Sequence, residues 1–541
     1  MAKVLWVQNL WIEYMGIMSI TALLKKHGHE VDIIFDSKEG VVDYIRRFQP
    51  SAIAFSLMSV QWKWAKEMIA FIKEQGIKTP IIVGGVHSTL FPEETMEYPW
   101  IDVICLNEGE AAMLEFVEAV DRGQDDTRIG NLWVRRNGTV VRNPTRPKMT
   151  AEELNALPFP DRDLYKKYEH FQKYPFEIFV GSRGCPFTCT FCEVPEINEM
   201  YGGKRVVYTD PVRFVDEIED VKKRGLLDNK LVMFTDSTFN SHRKWFLQFL
   251  EEYRKRINVP FSCNLRVDLV DERQVQALAQ SNCDNVRFGV ESGDDNIRNQ
   301  ILHKQLTDEQ IVRVSDLLHK YNIPFLTFNL FGNPEETLEQ AWKTIRINQL
   351  IKPAATGCYV FMLFPKLAAT NYALSKGLIE ESDFEKIERH PYNLHLSILR
   401  QPEIKEICNL QKFSILLIRF PFLEPIVRWL IRLPPNEVFN VIYSVSQVLE
   451  FRKWSSKTTI PRILYEALLN YQALVETSGD KKSLLRRISL ALSHRRKKKM
   501  KPSTIELLKD TEDRPQLPNH LTWHPDFASE SKESLHETQI R

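Results

Sequence analysis

GSRGCPFTCTFCEVPE, residues 181–196, follows the apolar run FEIFVG and sets Cys185, Cys189 and Cys192 in the spacing CxxxCxxC. Three cysteines this close together on a loop with Gly and Pro do not form a packing pattern, because buried cysteines usually occur singly inside strands or helices. Cys105, Cys263, Cys283, Cys358 and Cys408 do fit that packing description. A zinc site wants four ligands, commonly as two pairs, and the chain offers no second CxxC and no His pair to complete one. Three thiolates suit a [4Fe-4S] cluster in which one iron is left open to a substrate or cofactor.

Outward from this loop, apolar runs alternate with helical patterns: FEIFVG, KLVMFTD, FSCNLRVD, NVRFGVES, PFLTFNLFG and GCYVFMLFP. Six successive strand–helix units predict an incomplete parallel barrel, with functional residues where strands end and loops begin. Asp210, Asp271 and Thr307 are the expected helix N-caps. Ahead of the barrel, KVLWVQNL, HEVDIIFD, SAIAFSLM, TPIIVGG and IDVICLN alternate with helices and predict an open, doubly wound, Rossmann-like sheet. Its ligand-facing loops would be 9–16, 56–59, 84–88 and 107–110, at the carboxyl ends of the strands. NLWVRRNGTVVRNPTRP reads as a hairpin turning at Asn137-Gly138, and AEELNALPFPDRD as a proline-rich linker. The expected boundaries are 1–145 for the first domain, 146–172 for the linker, 173–390 for the partial barrel, 391–501 for a helical, basic C-terminal region and 502–541 for a loose tail.

The 541-residue chain is 43% hydrophobic and 26% charged, which excludes disorder as its main state. A formal net charge of +1 gives no global reason to expect a nucleic-acid partner. The N-terminus MAKVLWVQNL enters a strand at once, without a signal-peptide pattern, and no apolar run approaches the ~20 residues of a membrane span. The expected location is cytoplasmic.

The cysteine loop, on the first strand-to-helix connection of a six-unit barrel and with Phe191 just before the last cysteine, resembles the radical S-adenosylmethionine (SAM) superfamily. The resemblance implies that Cys185, Cys189 and Cys192 hold the cluster and that the open iron chelates SAM. An electron then splits SAM to methionine and a 5'-deoxyadenosyl radical, which abstracts hydrogen from an unactivated C–H bond. It also implies that Phe191 offers its backbone to the adenine and that Asp236 and Ser237 in FTDSTFN stand near the SAM amino group. Arg266 of NLRVD, beside Asp268, and Glu291 and Ser292 of GVESG occupy the ends of the third and fourth strands. FNLFGNPEE follows the fifth-strand GxIxGxxE pattern at Gly332 and Glu335, with Phe328 replacing the first glycine.

The first domain resembles the cobalamin (B12)-binding domain that precedes the barrel in one large radical SAM subgroup, through SxxxxQ from Ser56, VGGVHST with Gly84 and Gly85, and LNEGEAAMLEF with Glu108 and Gly109. Strand-end glycines let a large planar ligand approach the backbone. Many such domains carry DxHxxG, whose His ligates cobalt; here those positions are Trp11, Glu13 and Gly16. Either cobalt has no histidine ligand from the protein, or the fold persists without its cofactor. His87 is expected to be a loop histidine and not a ligand.

The resemblance implies a cobalamin-dependent radical SAM enzyme, a C-methyltransferase acting on an unactivated carbon of a small-molecule or lipid-like substrate, supplied with electrons by a flavodoxin or ferredoxin. A cyclase or rearrangement enzyme of the same architecture without methyl transfer is the first alternative, and a non-catalytic cobalamin or redox sensor is the second. A methylthiotransferase would need further clustered cysteines in the first domain, where Cys105 stands alone. In the C-terminal region, LLRRISLALSHRRKKKMK (484–501) mixes Leu and Ile with basic clusters, a pattern suited to peripheral contact with anionic lipid at the inner membrane surface.

Overall fold

The computed structural model describes residues 1–203, 206–384, 397–454 and 459–464; the basic run at 484–501 and the tail from 502 lie outside the described residues. The first sheet holds β1 (Lys3–Val7), β2 (Glu30–Ile34), β3 (Ala52–Ser56), β4 (Ile81–Gly84), β5 (Val103–Cys105), β6 (Leu132–Arg136) and β7 (Thr139–Arg142), in the order β2-β1-β3-β4-β5-β6-β7. β1 to β5 run parallel, and β6–β7 is an antiparallel hairpin. The hairpin turns at Asn137 and Gly138, with φ 50 and 78, the left-handed pair that two-residue turns demand.

Both faces of this sheet are covered, which is why its strands read as continuous apolar runs. Val4, Trp6, Ala52 and Ala54 pack under the helices Met15–Lys26 and Glu110–Arg122. Leu5, Val7, Ile53 and Phe55 pack under Lys38–Phe48 and Trp62–Glu74. Strand order reverses between β1 and β3, which opens a crevice at their carboxyl ends.

In the second half, β8 (Phe176–Phe179) leads into a short antiparallel ribbon of β9 (Ser182–Arg183) with β10 (Val207–Tyr208), which brackets the cysteine loop. β11 (Leu231–Phe234), β12 (Phe261–Asn264), β13 (Cys283–Glu291), β14 (Phe325–Phe331) and β15 (Ala355–Val360) then add in sequence, all parallel, so that β8 and β15 remain as edges of an open six-stranded barrel. Asp210, Asp271 and Thr307 cap the helices that follow them.

Both open edges are occupied by side chains, which blunts their tendency to pair with other chains. At β15, Gln411 Nε2 and Tyr443 OH each donate to the Cys358 carbonyl at 2.6 Å, and Glu450 accepts from the Thr356 amide at 2.9 Å. These groups belong to the C-terminal helices Ile404–Arg419 and Glu437–Phe451. At β8, Arg162 donates to the Ile178 carbonyl at 2.9 Å.

Arg162 comes from the segment expected as a simple linker. That segment instead contains the helices Ala151–Ala156 and Asp163–Lys166 and welds the two halves together. Tyr165, Tyr168 and Phe171 join the core of the first domain around Trp11 and Phe35. Beside them lies a buried ionic network. Arg162 bridges Glu177 (3.0 Å) and Glu217 (3.1 Å), Lys166 bridges Glu13 (2.8 Å) and Glu177 (2.9 Å), and Lys230 reaches Glu177 at 3.0 Å. Three carboxylates and three cations balance, as burial requires.

Candidate functional site

The cysteine loop is fastened at each end. Asp236, at the end of β11, accepts from the Gly181 amide at 3.1 Å and from the Ser182 hydroxyl; burial pushes its carboxyl up to about 6 against these hydrogen bonds. Asn198 donates to the Cys185 carbonyl at 2.8 Å. Thr190 donates from its amide to the Leu302 carbonyl and from its hydroxyl to the Ile301 carbonyl, while its own carbonyl accepts from Ala369. Between these anchors the three thiols are partly buried and none is in a disulfide. Cys185 Sγ lies 3.4 Å from Thr238 Oγ1, and Cys189 Sγ lies 3.9 Å from an Arg266 guanidinium nitrogen.

Arg266 and Glu291 come together around Cys189 and Phe191, joined by Lys304, which the sequence reading missed. Lys304 pairs with Glu291 at 2.9 Å and stands 5.8 Å over the Phe191 ring; Arg266 stacks 3.7 Å over Phe187 and pairs with Asp268 at 2.8 Å. Glu291 has φ 64 at the end of β13, and its carboxylate folds back to where a Cβ on residue 289 would stand, so Gly289 is what admits it. Burial raises the Cys189 thiol, with Lys304 and Arg266 opposing, and raises Cys192 further, with the Glu193 charge adding to burial. No motif marks Lys304; only its place after the π-helical turn Ile297–Ile301 brings it in.

Three expected SAM contacts lie elsewhere. Ser292 is fully buried, and its hydroxyl accepts from the Asp294 amide, so it builds the turn into the next helix. Glu335 turns outward to Tyr372 and Lys376. Its neighbour Glu336 is the buried carboxylate of that loop, accepting from the Gly332 and Asn333 amides at 2.6 and 3.0 Å. The left-handed backbone at Glu335, φ 61, sends successive side chains to opposite sides of the loop. Ser237 is exposed beside the buried Asp236.

A cavity of about 380 Å³ opens at the crevice of the first sheet, and Ser56, Gly84, Gly85, Glu108 and Gly109 all line it. Gly85 has φ 92, and a Cβ there would meet the Leu57 amide at 2.6 Å; a Cβ on Gly109 would crowd Ile20 at 3.1 Å. The opposite wall belongs to the barrel and the linker: Pro158, Pro160, Ser182 and Arg183. Trp11 and Glu13 do not line it. Trp11 stacks on Phe35 at 4.7 Å, and Glu13 is held by Lys166. His87 is buried in the helix Val86–Leu90 between Trp62 and Phe91, where burial lowers its pKa to about 3.

A doubly wound domain whose glycine-floored crevice opens onto a six-stranded open barrel, with three cysteines on the first barrel loop, is the arrangement of a B12-binding domain followed by a radical SAM domain, and the chain carries both. Residues 11–117 match the family model for the B12 binding domain, and residues 179–347 match that of the Radical SAM superfamily. A protein named as an uncharacterized methyltransferase of Pyrococcus horikoshii is 25% identical, over 69% of this chain and 81% of its own length. The anaerobic magnesium-protoporphyrin IX monomethyl ester cyclase of Rubrivivax gelatinosus is 29% identical, over 62% of this chain and 61% of its own. The solved structure of the radical SAM methyltransferase TsrM from Kitasatospora setae, with cobalamin and a [4Fe-4S] cluster bound, shares the fold at TM-score 0.59 and 19% identity, covering 70% of this chain and 76% of that one.

A B12 binding domain and a Radical SAM domain take cobalamin, SAM and a [4Fe-4S] cluster, and the residues present fit them. Among the described residues no three His, Cys, Asp or Glu side chains converge closely enough for a single metal ion. Three thiols on one loop, with no fourth protein ligand in their motif, suit a cluster with one iron left open. Gly84, Gly85 and Gly109 line the cavity without side chains, and Gly85 has no room for a Cβ and Gly109 little. No helix among the described residues is long and apolar enough to cross a membrane.

Proposed function

We propose that this protein is a C-methyltransferase that modifies an unactivated carbon of a small-molecule or lipid-like substrate. The observation that carries this reading is the shared wall: Ser182 and Arg183 line the cobalamin crevice, and Cys185 follows two residues after Arg183. A methyl carrier and a radical source are thereby held on one short stretch of backbone, the orientation such a transfer requires.

When bound, the cluster and SAM supply a hydrogen-abstracting radical, and cobalamin supplies the methyl group. The chain's own residues position and screen. Cys185, Cys189 and Cys192 hold the cluster. Phe191, Arg266, Glu291 and Lys304 hold SAM, with Asp236 and Gly332 shaping the strand ends around it. Ser56, Gly84, Gly85, Glu108 and Gly109 cradle cobalamin, and the Leu157 to Pro160 segment closes over it. Glu13, held by Lys166, would serve architecture and not the cofactor. A flavodoxin- or ferredoxin-type donor supplies the electron.

The test is anaerobic turnover with methyl-labelled SAM. A product heavier by one labelled methyl group, lost when any one of Cys185, Cys189 and Cys192 is replaced by Ala, supports the transferase. The named cyclase relative favours a second reading, cyclisation or oxidation, which predicts 5'-deoxyadenosine with no label in the product.

A further inference from the structure

The C-terminal layer that closes the β15 edge exposes a face that solvent does not explain. The helix Glu437–Phe451 buries Phe439, Tyr443 and Glu450 against the barrel, yet its outer stripe is Val438, Val441, Val445 and Leu449. Just before it, Phe422 is 75% exposed and Trp429 62%. From residue 420 to 453 the one exposed acidic side chain is Glu437, whereas Arg432, Arg452 and Lys453 are exposed cations. Exposed apolar surface of this extent, with more exposed cations than acids along it, marks an interaction site.

We infer that this layer docks on an anionic lipid bilayer, lying in its surface. The helices are short, and none among the described residues can span, so an interfacial helix with an apolar face and basic flanks is the matching class. Charge selects the partner. Arg432, Arg452 and Lys453 are exposed along the same layer as the apolar stripe, and phosphate-bearing headgroups satisfy the stripe and these cations together. A second copy seated on the same face would bring a second set of these cations against the first. Docking is independent of the methyl-transfer reading and would give the barrel access to membrane-dissolved substrates.

The test is co-sedimentation of the full-length, cluster-loaded protein with phosphatidylcholine–phosphatidylglycerol vesicles and with phosphatidylcholine alone. Phe422→Ser with Trp429→Ser, and separately Val441→Ser with Val445→Ser, should each weaken partitioning at least about tenfold. Replacing Arg432, Arg452 and Lys453 with Gln should weaken only the anionic case. Iron content, thermal midpoint and SAM cleavage should stay at wild-type values, so that loss of docking is read separately from loss of chemistry. The inference is overturned if wild-type protein stays in the supernatant, or if the apolar variants sediment unchanged. It is also overturned if a solution dimer that the Val441 and Val445 variant dissolves replaces vesicle binding, or if the chain binds only when ended at residue 464, its own C-terminal segment then being the occupant.

Discussion

Arg183 donates to Glu110 at 2.5 Å across the seam between the barrel and the first domain. Its other terminal nitrogen lies 3.5 Å from Glu108, and Ser19 donates to the same Glu110 oxygen at 2.9 Å. Arg183 sits at the mouth of the cysteine loop and Glu110 at the start of the helix behind the crevice. One charge pair, with Glu110 buried and Arg183 partly exposed, thus sets the separation of the cysteine loop from the crevice, and the burial of Glu110 makes it expensive to break.

Replacement of Arg183 by Met should therefore cost about 3–5 kcal/mol of stability at neutral pH by stranding Glu110. Burial raises the Glu110 carboxyl, but Arg183 and Ser19 outweigh it and hold the pKa below the ordinary carboxylate range. A depressed carboxylate pKa stabilises the fold above its unfolded value, and this is lost as pH falls through the folded value. The deficit of the variant, followed by urea midpoints at several pH values, should shrink in acid; equal midpoints at neutral pH would show that the pair does not join the domains.

Glu13→Gln should leave the visible spectrum of bound cobalamin unchanged, because the carboxylate faces Lys166 and not the cavity. A changed spectrum would mean that Glu13 reaches cobalt. Lys166→Met removes the cation between Glu13 and Glu177 and should destabilise the protein by about 3–5 kcal/mol.

Lys304→Met should raise the KM for SAM at least about tenfold, since it removes a charged contact beside Phe191 and leaves Glu291 uncompensated. Iron content should match wild type, and Lys304→Arg should recover part of the affinity. Loss of iron without a change in SAM affinity would assign Lys304 to the cluster loop instead.

Glu336 supplies a pH signature. Burial pushes its pKa up to about 7, beyond what the Gly332 and Asn333 amides can offset. Between the ordinary glutamate value and about 7 the folded state keeps a proton that the unfolded chain has released, so stability should fall as pH rises through that window. Glu336→Gln should flatten this slope in thermal melts from pH 4.5 to 7.5, a range set by roughly these two values; an unaltered slope would assign the dependence to another group.

The local chemistry of the chain was enough to establish the alternation of strands and helices, the capped starts at Asp210, Asp271 and Thr307, the Asn137-Gly138 turn and the three-cysteine loop, because each depends on neighbours a few residues away. The crevice glycines were legible for the same reason, as glycines at strand ends, although only Gly85 has left-handed backbone, φ 92. Tertiary structure alone decided the rest. Arg183 meets Glu110, and Lys166 meets Glu13 and Glu177, across separations that carry no periodic signal. Lys304 reaches Glu291 only because a wide helical turn returns it, and the turn at Glu335 decides which of two adjacent glutamates is buried. The linker, polar and proline-rich in sequence, became the joint between domains because buried cations need partners, and only the assembled fold brings those carboxylates within reach.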